Sequence, residues 1–117
     1  MTLDTFIKMA TNGRASSFVK PEVLEAFLPH LWARGYWVTR IEAAEMVGGR
    51  TKVNLYYGVI GLDGPENWEA HEDIGRHTRL VQSKIAEAKA SGLPIEFQVW
   101  IEKDDSVSGD LLAGESQ

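Results

Sequence analysis

Cysteine is absent from this 117-residue chain. That absence excludes disulfides, thiolate nucleophiles and cysteine-ligated zinc or iron–sulfur sites. It permits a cytoplasmic location, which is the expected one. No apolar run approaches the roughly 20 residues of a membrane-spanning helix. The opening segment, M-T-L-D-T-F-I-K-M-A, lacks a basic region followed by a long apolar stretch, so no signal peptide is expected. Glycines are present, but none falls in a G-x-x-x-x-G-K-[ST] pattern, so no phosphate-cradling loop is expected. There is no internal repeat.

What is present suits one small α+β domain. Hydrophobic residues make up 44% of the chain, and four Trp with four Phe supply enough large apolar surface for a single core. The formal charge of −5 is uneven. Residues 1–52 carry seven Lys or Arg against five Asp or Glu (+2), and residues 53–117 carry five against twelve (−7). The acidic half disfavours nucleic acid as a nonspecific partner.

The strongest local signal is Y36-W-V-T-R-I-E-A-A-E-M-V-G-G-R-T-K-V-N-L-Y-Y-G-V-I60. Two runs rich in β-branched and aromatic residues flank Gly48-Gly49, which can supply the positive φ angles of a two-residue turn. With that turn, Val47 faces Arg50 and Glu45 faces Lys52, an opposite-charge pair. Thr39 and Glu42 also have capping-box spacing, so a short helix over Ile41 to Val47 competes with the strand. In the second strand Val53, Leu55, Tyr57 and Val59 share the expected core face.

Before the hairpin, Leu3, Phe6, Ile7 and Ala10 have helical spacing. Leu24, Phe27, Leu28, Leu31 and Trp32 form the apolar face of a second helix that starts near Pro21. Pro29 should kink it or divide it into two pieces. After the hairpin, Pro65 opens a helical region, with Asp63 and Glu66 at capping distance. Thr78, Val81, Ile85 and Ala88 then form one contiguous helix face. Gly92 and Pro94 end that helix, and Ile95, Phe97, Val99 and Ile101 alternate as a final strand facing the core. Thr78, Val81, Ile85 and Ala88 are expected to pack against Val53, Leu55 and Val99. Residues 1–103 should form the single domain and residues 104–117 an acidic, flexible tail.

Chemical signals are sparse. His71, Glu72, Asp73 and His77 form the densest ionisable cluster, with Asp73 and His77 four apart on a continuous helix. The order H-E-D-I-G-R-H departs from H-E-x-x-H, so the polar site formed by His71, Asp73 and His77 would need distant partners to hold a metal. Glu69, Asp73, Glu96 and Glu102 are too scattered to suggest a two-metal nuclease. Ser16 or Ser17 with a histidine lacks the strand–turn–helix context of a hydrolytic nucleophile. Arg40, Arg50 and Lys52 form an incomplete basic patch interrupted by Glu42 and Glu45.

Aromatic residues carry a different signal. Trp37 and Tyr56 fall on one face of the hairpin and Trp100 lies opposite the core-facing row of the last strand. These three are the expected interface anchors, because aromatics join large contact area to a polar handle. The leading expectation is therefore an intracellular protein-interaction or regulatory module, with self-association one form of it. A small metal-dependent hydrolase using His71, Asp73 and His77 is an alternative. A small-molecule-binding protein using Trp32, Trp37, Tyr57 and Trp100 is another. No cofactor is expected.

Overall fold

Thr2 starts the first helix, α1 (Leu3–Ala10), by accepting a hydrogen bond from the Thr5 amide at 3.2 Å. Asp4 in its first turn and Lys8 in its last both favour the helix dipole. The second helix, α2 (Pro21–Ala33), opens with proline at its first position, where no amide donor is needed. The structure is a computed structural model and describes residues 1–11, 13–60 and 74–107.

Two strands follow, β1 (Tyr36–Val47) and β2 (Arg50–Ile60), then a long helix, α3 (Ile74–Ala90), and a last strand, β3 (Ile95–Lys103). The sheet order is β2-β1-β3, and β1 pairs antiparallel with both neighbours. It follows that β2 and β3 run parallel with β1 between them. Parallel strands need a long crossover, and α3 provides it. The domain is thus α+β, with N-terminal helices, a Gly48-Gly49 hairpin, a long helix and a final strand.

Residues 40–47 are strand, not helix. Gly48 and Gly49 both take positive φ, 57° and 77°, so the turn is closed by a two-residue loop whose twist matches that of the strands. Val47 opposes Arg50 and Glu45 opposes Lys52, as the turn dictates. The Glu45 carboxylate, however, accepts a hydrogen bond from Asn54 Nδ2 at 3.0 Å, on the same face of the sheet.

Of the kink or division expected at Pro29, the division does not occur: α2 is one helix of 13 residues. Pro29 sits on its exposed side, opposite the buried Leu24, Leu28 and Leu31. The carbonyl left without an amide partner is that of exposed Glu25, where water can serve. Gly75 likewise leaves α3 continuous. The helical region expected around Pro65, including the Asp63–Glu66 cap, lies outside the described residues.

The core lies between the helices and one face of the sheet. Val81, Ile85 and Ala88 of α3 are buried in a cluster with Leu28 and Trp32 of α2 and Ile41, Phe97 and Val99 of the sheet. Each Val, Leu, Ile or Phe side chain among them contributes about 1.5–3 kcal/mol on burial. Lys89 bridges α3 to α2 at the surface, 2.8 Å from Glu25. That hydrogen bond and the Glu25 charge raise the Lys89 amine above its ordinary value. The contribution of the pair is therefore intact at neutral pH and is lost as pH rises through the raised value. Beyond β3, the Asp104 amide bonds the Gly35 carbonyl at 2.9 Å and Val107 is buried in the core.

The Thr78–Val81–Ile85–Ala88 face is buried as its spacing requires. Ile85→Asp should then cost more than the about 2–5 kcal/mol of a truncation to alanine, because it adds an unpaired polar group to the core. Circular-dichroism melting beside the unaltered protein should show a large loss of midpoint; an unchanged midpoint would place Ile85 outside the core.

Candidate functional site

The outer part of the hairpin departs from the alternation read in the sequence. Ala43 pairs with Asn54 and Ile41 pairs with Val59, so a single β1 residue, Glu42, opposes four residues of β2, Leu55 to Gly58. This wide irregularity brings β2 hard against β1 at Gly58. A Cβ built there would stand 3.3 Å from the Ile41 carbonyl oxygen and 3.7 Å from that of Leu55. Any other residue would need the Ile41 carbonyl to give by a few tenths of an ångström, so glycine favours that approach.

Polar contacts hold the irregular segment in place. Asn54 Oδ1 accepts from the Tyr56 amide at 3.1 Å while its Nδ2 donates to Glu45. Tyr56 then leans toward α3, where its hydroxyl donates to Glu87 Oε1 at 3.1 Å and the Lys84 ammonium lies 4.1 Å from its ring centre. The Tyr56 and Tyr57 rings meet edge to face at 4.9 Å.

The expected core face of β2 survives only at its far end, where Tyr57 packs half-buried against the core beside Val59. Val59 is buried, but Val53 is 72% exposed and Leu55 79% exposed, so neither packs against α3. Val53 pairs with Ala44, and Thr51 with Met46. Ala44 lies one residue from Ala43, which opposes core-facing Phe97, so Val53 and Thr51 share the sheet face away from the helices. Val47 is exposed as well, on the other face of the sheet.

The three aromatics expected as anchors do not converge. Trp37 is 1% exposed and belongs to the core, a correction to its expected role at a surface. Its ring meets the His77 ring edge-on at 5.4 Å. At this end of β1 the residues Trp37, Val38 and Thr39 are all buried, so both faces of the strand are covered. Trp100 does lie opposite the core-facing row, but it is half-buried with the Arg40 guanidinium 4.8 Å from its ring centre, and Arg40 is in turn 2.7 Å from Glu42. Tyr56 alone of the three is broadly exposed.

His77 sits in the first turns of α3 and is 7% exposed. Its Nε2 lies 3.1 Å from the Thr39 carbonyl oxygen, which can only accept, so Nε2 carries the proton. The β1–β3 register shifts between Val38 and Arg40, freeing Thr39 for this contact. His77 therefore fastens α3 to the middle strand. His71 and Asp73 lie outside the described residues, and the described residues hold no group of three or more His, Asp or Glu placed to bind a metal ion.

Of the four aromatics expected around a small ligand, Trp32 lines an open cleft of about 220 Å³ between α2 and α3, with Leu28, Gln82 and Ile85. Trp37 is in the core, and Trp100 is on the opposite face of the sheet from the helices. Among the described residues, no helix is long and apolar enough to cross a membrane. No protein-family model matches the chain, and no curated protein matches its sequence.

The close approach of β2 to β1 rests on Gly58. Gly58→Val should destabilise the domain by about 1–3 kcal/mol through forced separation of β2 from β1. Denaturant melts would read this loss, whereas a variant as stable as the unaltered protein would show that the close approach does not exist.

Proposed function

We propose that this domain is a protein-interaction module, working inside the cell, whose contact surface is the outer part of the β1–β2 hairpin. The single observation that carries the reading is the exposure of Val53 and Leu55 on an edge strand. Two large aliphatic side chains at that level of exposure, next to unpaired backbone groups, are a liability for a chain that stays alone. Covering them with another polypeptide gains apolar burial and main-chain hydrogen bonds together.

The surroundings suit this use. Arg50 and Lys52 flank the apolar residues and can steer and orient a partner without occupying the contact itself. Tyr56, anchored to α3 through Glu87 and Lys84, offers a rigid aromatic border. No comparable grouping of exposed apolar side chains occurs elsewhere among the described residues, where Leu80 and Leu93 stand singly.

The double variant Val53→Asp/Leu55→Asp tests this reading, because both side chains are exposed and the fold should melt as before. Affinity capture from extracts of the native cells should recover a partner with the unaltered protein and lose it with the variant. Identical capture by both proteins, at matched stability, would contradict the assigned surface.

A further inference from the structure

On β2 the two-residue turn makes Val47 and Arg50 a hydrogen-bonded pair. Alternation then turns the backbone groups of Arg50, Lys52 and Asn54 toward β1 and those of Thr51 and Val53 outward. Among the described residues neither Thr51 nor Val53 has a backbone partner on that outer side, and both are exposed. Each therefore presents an amide and a carbonyl to whatever comes alongside. The side chains sort by the same alternation. Thr51 and Val53 continue the rows of Met46 and Ala44 on the face away from the helices, whereas Arg50 and Lys52 lie on the other face. Both cations are exposed, and neither forms an ion pair among the described residues. Lys52 stands across from Glu45, whose carboxylate is engaged by Asn54. From Met46 to Leu55 the chain carries no Asp or Glu, so this edge is a local excess of positive charge in a chain of net charge −5.

We infer that the strand this edge receives is an acidic one: an extended segment of another protein in which Asp or Glu alternates with Val, Ile or Thr. The inference rests on the interaction-module reading and names the partner's chemistry. The segment pairs its main chain with the outward groups of Thr51 and Val53. Its carboxylates stand across from Arg50 and Lys52, and its β-branched side chains cover Val53 beside Ala44. Alternation is required because successive residues of a strand point to opposite faces. The segment is short, since the regular register of β2 ends at Asn54, ahead of the bulge.

The same two features, charge and main-chain polarity, decide against other occupants. The phosphates of a nucleic acid match the cations, but they only accept hydrogen bonds and would meet the outward carbonyls of Thr51 and Val53. The exposed side chains beside them, Val53 and Leu55, are aliphatic and not the aromatic platforms on which bases stack. A second copy of this edge brings Arg50 and Lys52 of both chains together with no acid between them. An acidic strand supplies donors, acceptors and opposite charge at once.

NMR titration of the isotope-labelled protein with short capped peptides tests this, because it reads weak binding residue by residue. The probes are a peptide of alternating Val and Glu and its counterpart of alternating Val and Lys. The Glu peptide should shift the Thr51 and Val53 amides and bind at least about tenfold more tightly than the Lys peptide. Raising the salt should narrow that difference. Arg50→Gln/Lys52→Gln replaces two exposed side chains, so it should melt as before and bind the two peptides alike. Equal binding of both peptides to the unaltered protein, or no shift at Thr51 and Val53 with either, would overturn the inference. So would a single-stranded oligothymidylate that displaces the Glu peptide. The same shifts appearing without peptide as protein concentration rises would overturn it in favour of a second copy. The interaction-module reading is decided separately: it stands if Val53→Asp/Leu55→Asp abolishes capture from extracts, whatever the peptides do.

Discussion

The structure depends on β1 being hydrogen-bonded on both sides. Its 12 residues run between β2 and β3, and α2 and α3 cover its inner face. Ile41 and Ala43 are buried there beside Val99 and Phe97, so the same few residues join the sheet to the helices. Wherever β1 keeps strict antiparallel register, its neighbours alternate cleanly. Where the register shifts, at Thr39 on one side and opposite Glu42 on the other, side chains and backbone groups are released for other uses.

Those two shifts have opposite consequences. The one at Thr39 lets a carbonyl reach His77, and Trp37 packs against that imidazole, so the irregularity is absorbed into the core. The one opposite Glu42 lets four residues of β2 stand against one of β1. It tightens at Gly58 and leaves Leu55 outside, while Val53, in regular register with Ala44, points away from the helices. Asn54 and Tyr56 supply the polar contacts that keep the displaced segment ordered, tying it to Glu45 and α3. Burial of apolar area thus ends partway along β2, and the rest of the hairpin extends beyond the helices.

Much of the architecture was legible in the sequence because it follows from local geometry. Gly48-Gly49 fixed the hairpin register, and the spacing of Thr78, Val81, Ile85 and Ala88 picked out the buried face of α3. Alternation from Ile95 to Ile101 did the same for β3. The misreadings each have a physical cause. Period-two reasoning carries a face along a strand only while the register is constant, so it placed Val53 and Leu55 with Val59 although a bulge separates them. Gly58 within an otherwise β-branched and aromatic run was the available signal. Trp37 was misplaced because whether a strand end is covered on both faces depends on where α3 begins, which lies far along the chain. Pro29 was read as a kink or a division, and the division was expected without regard to which side of the helix it occupied.

Amide hydrogen exchange along β2, followed residue by residue by NMR at low protein concentration, is the most direct test of the open edge. If β2 pairs with β1 in the described register and nothing covers its outer side, Lys52 and Asn54 amides should be protected and Thr51 and Val53 amides should exchange freely. Equal protection of all four, or protection of Thr51 and Val53 in place of Lys52 and Asn54, would contradict the account.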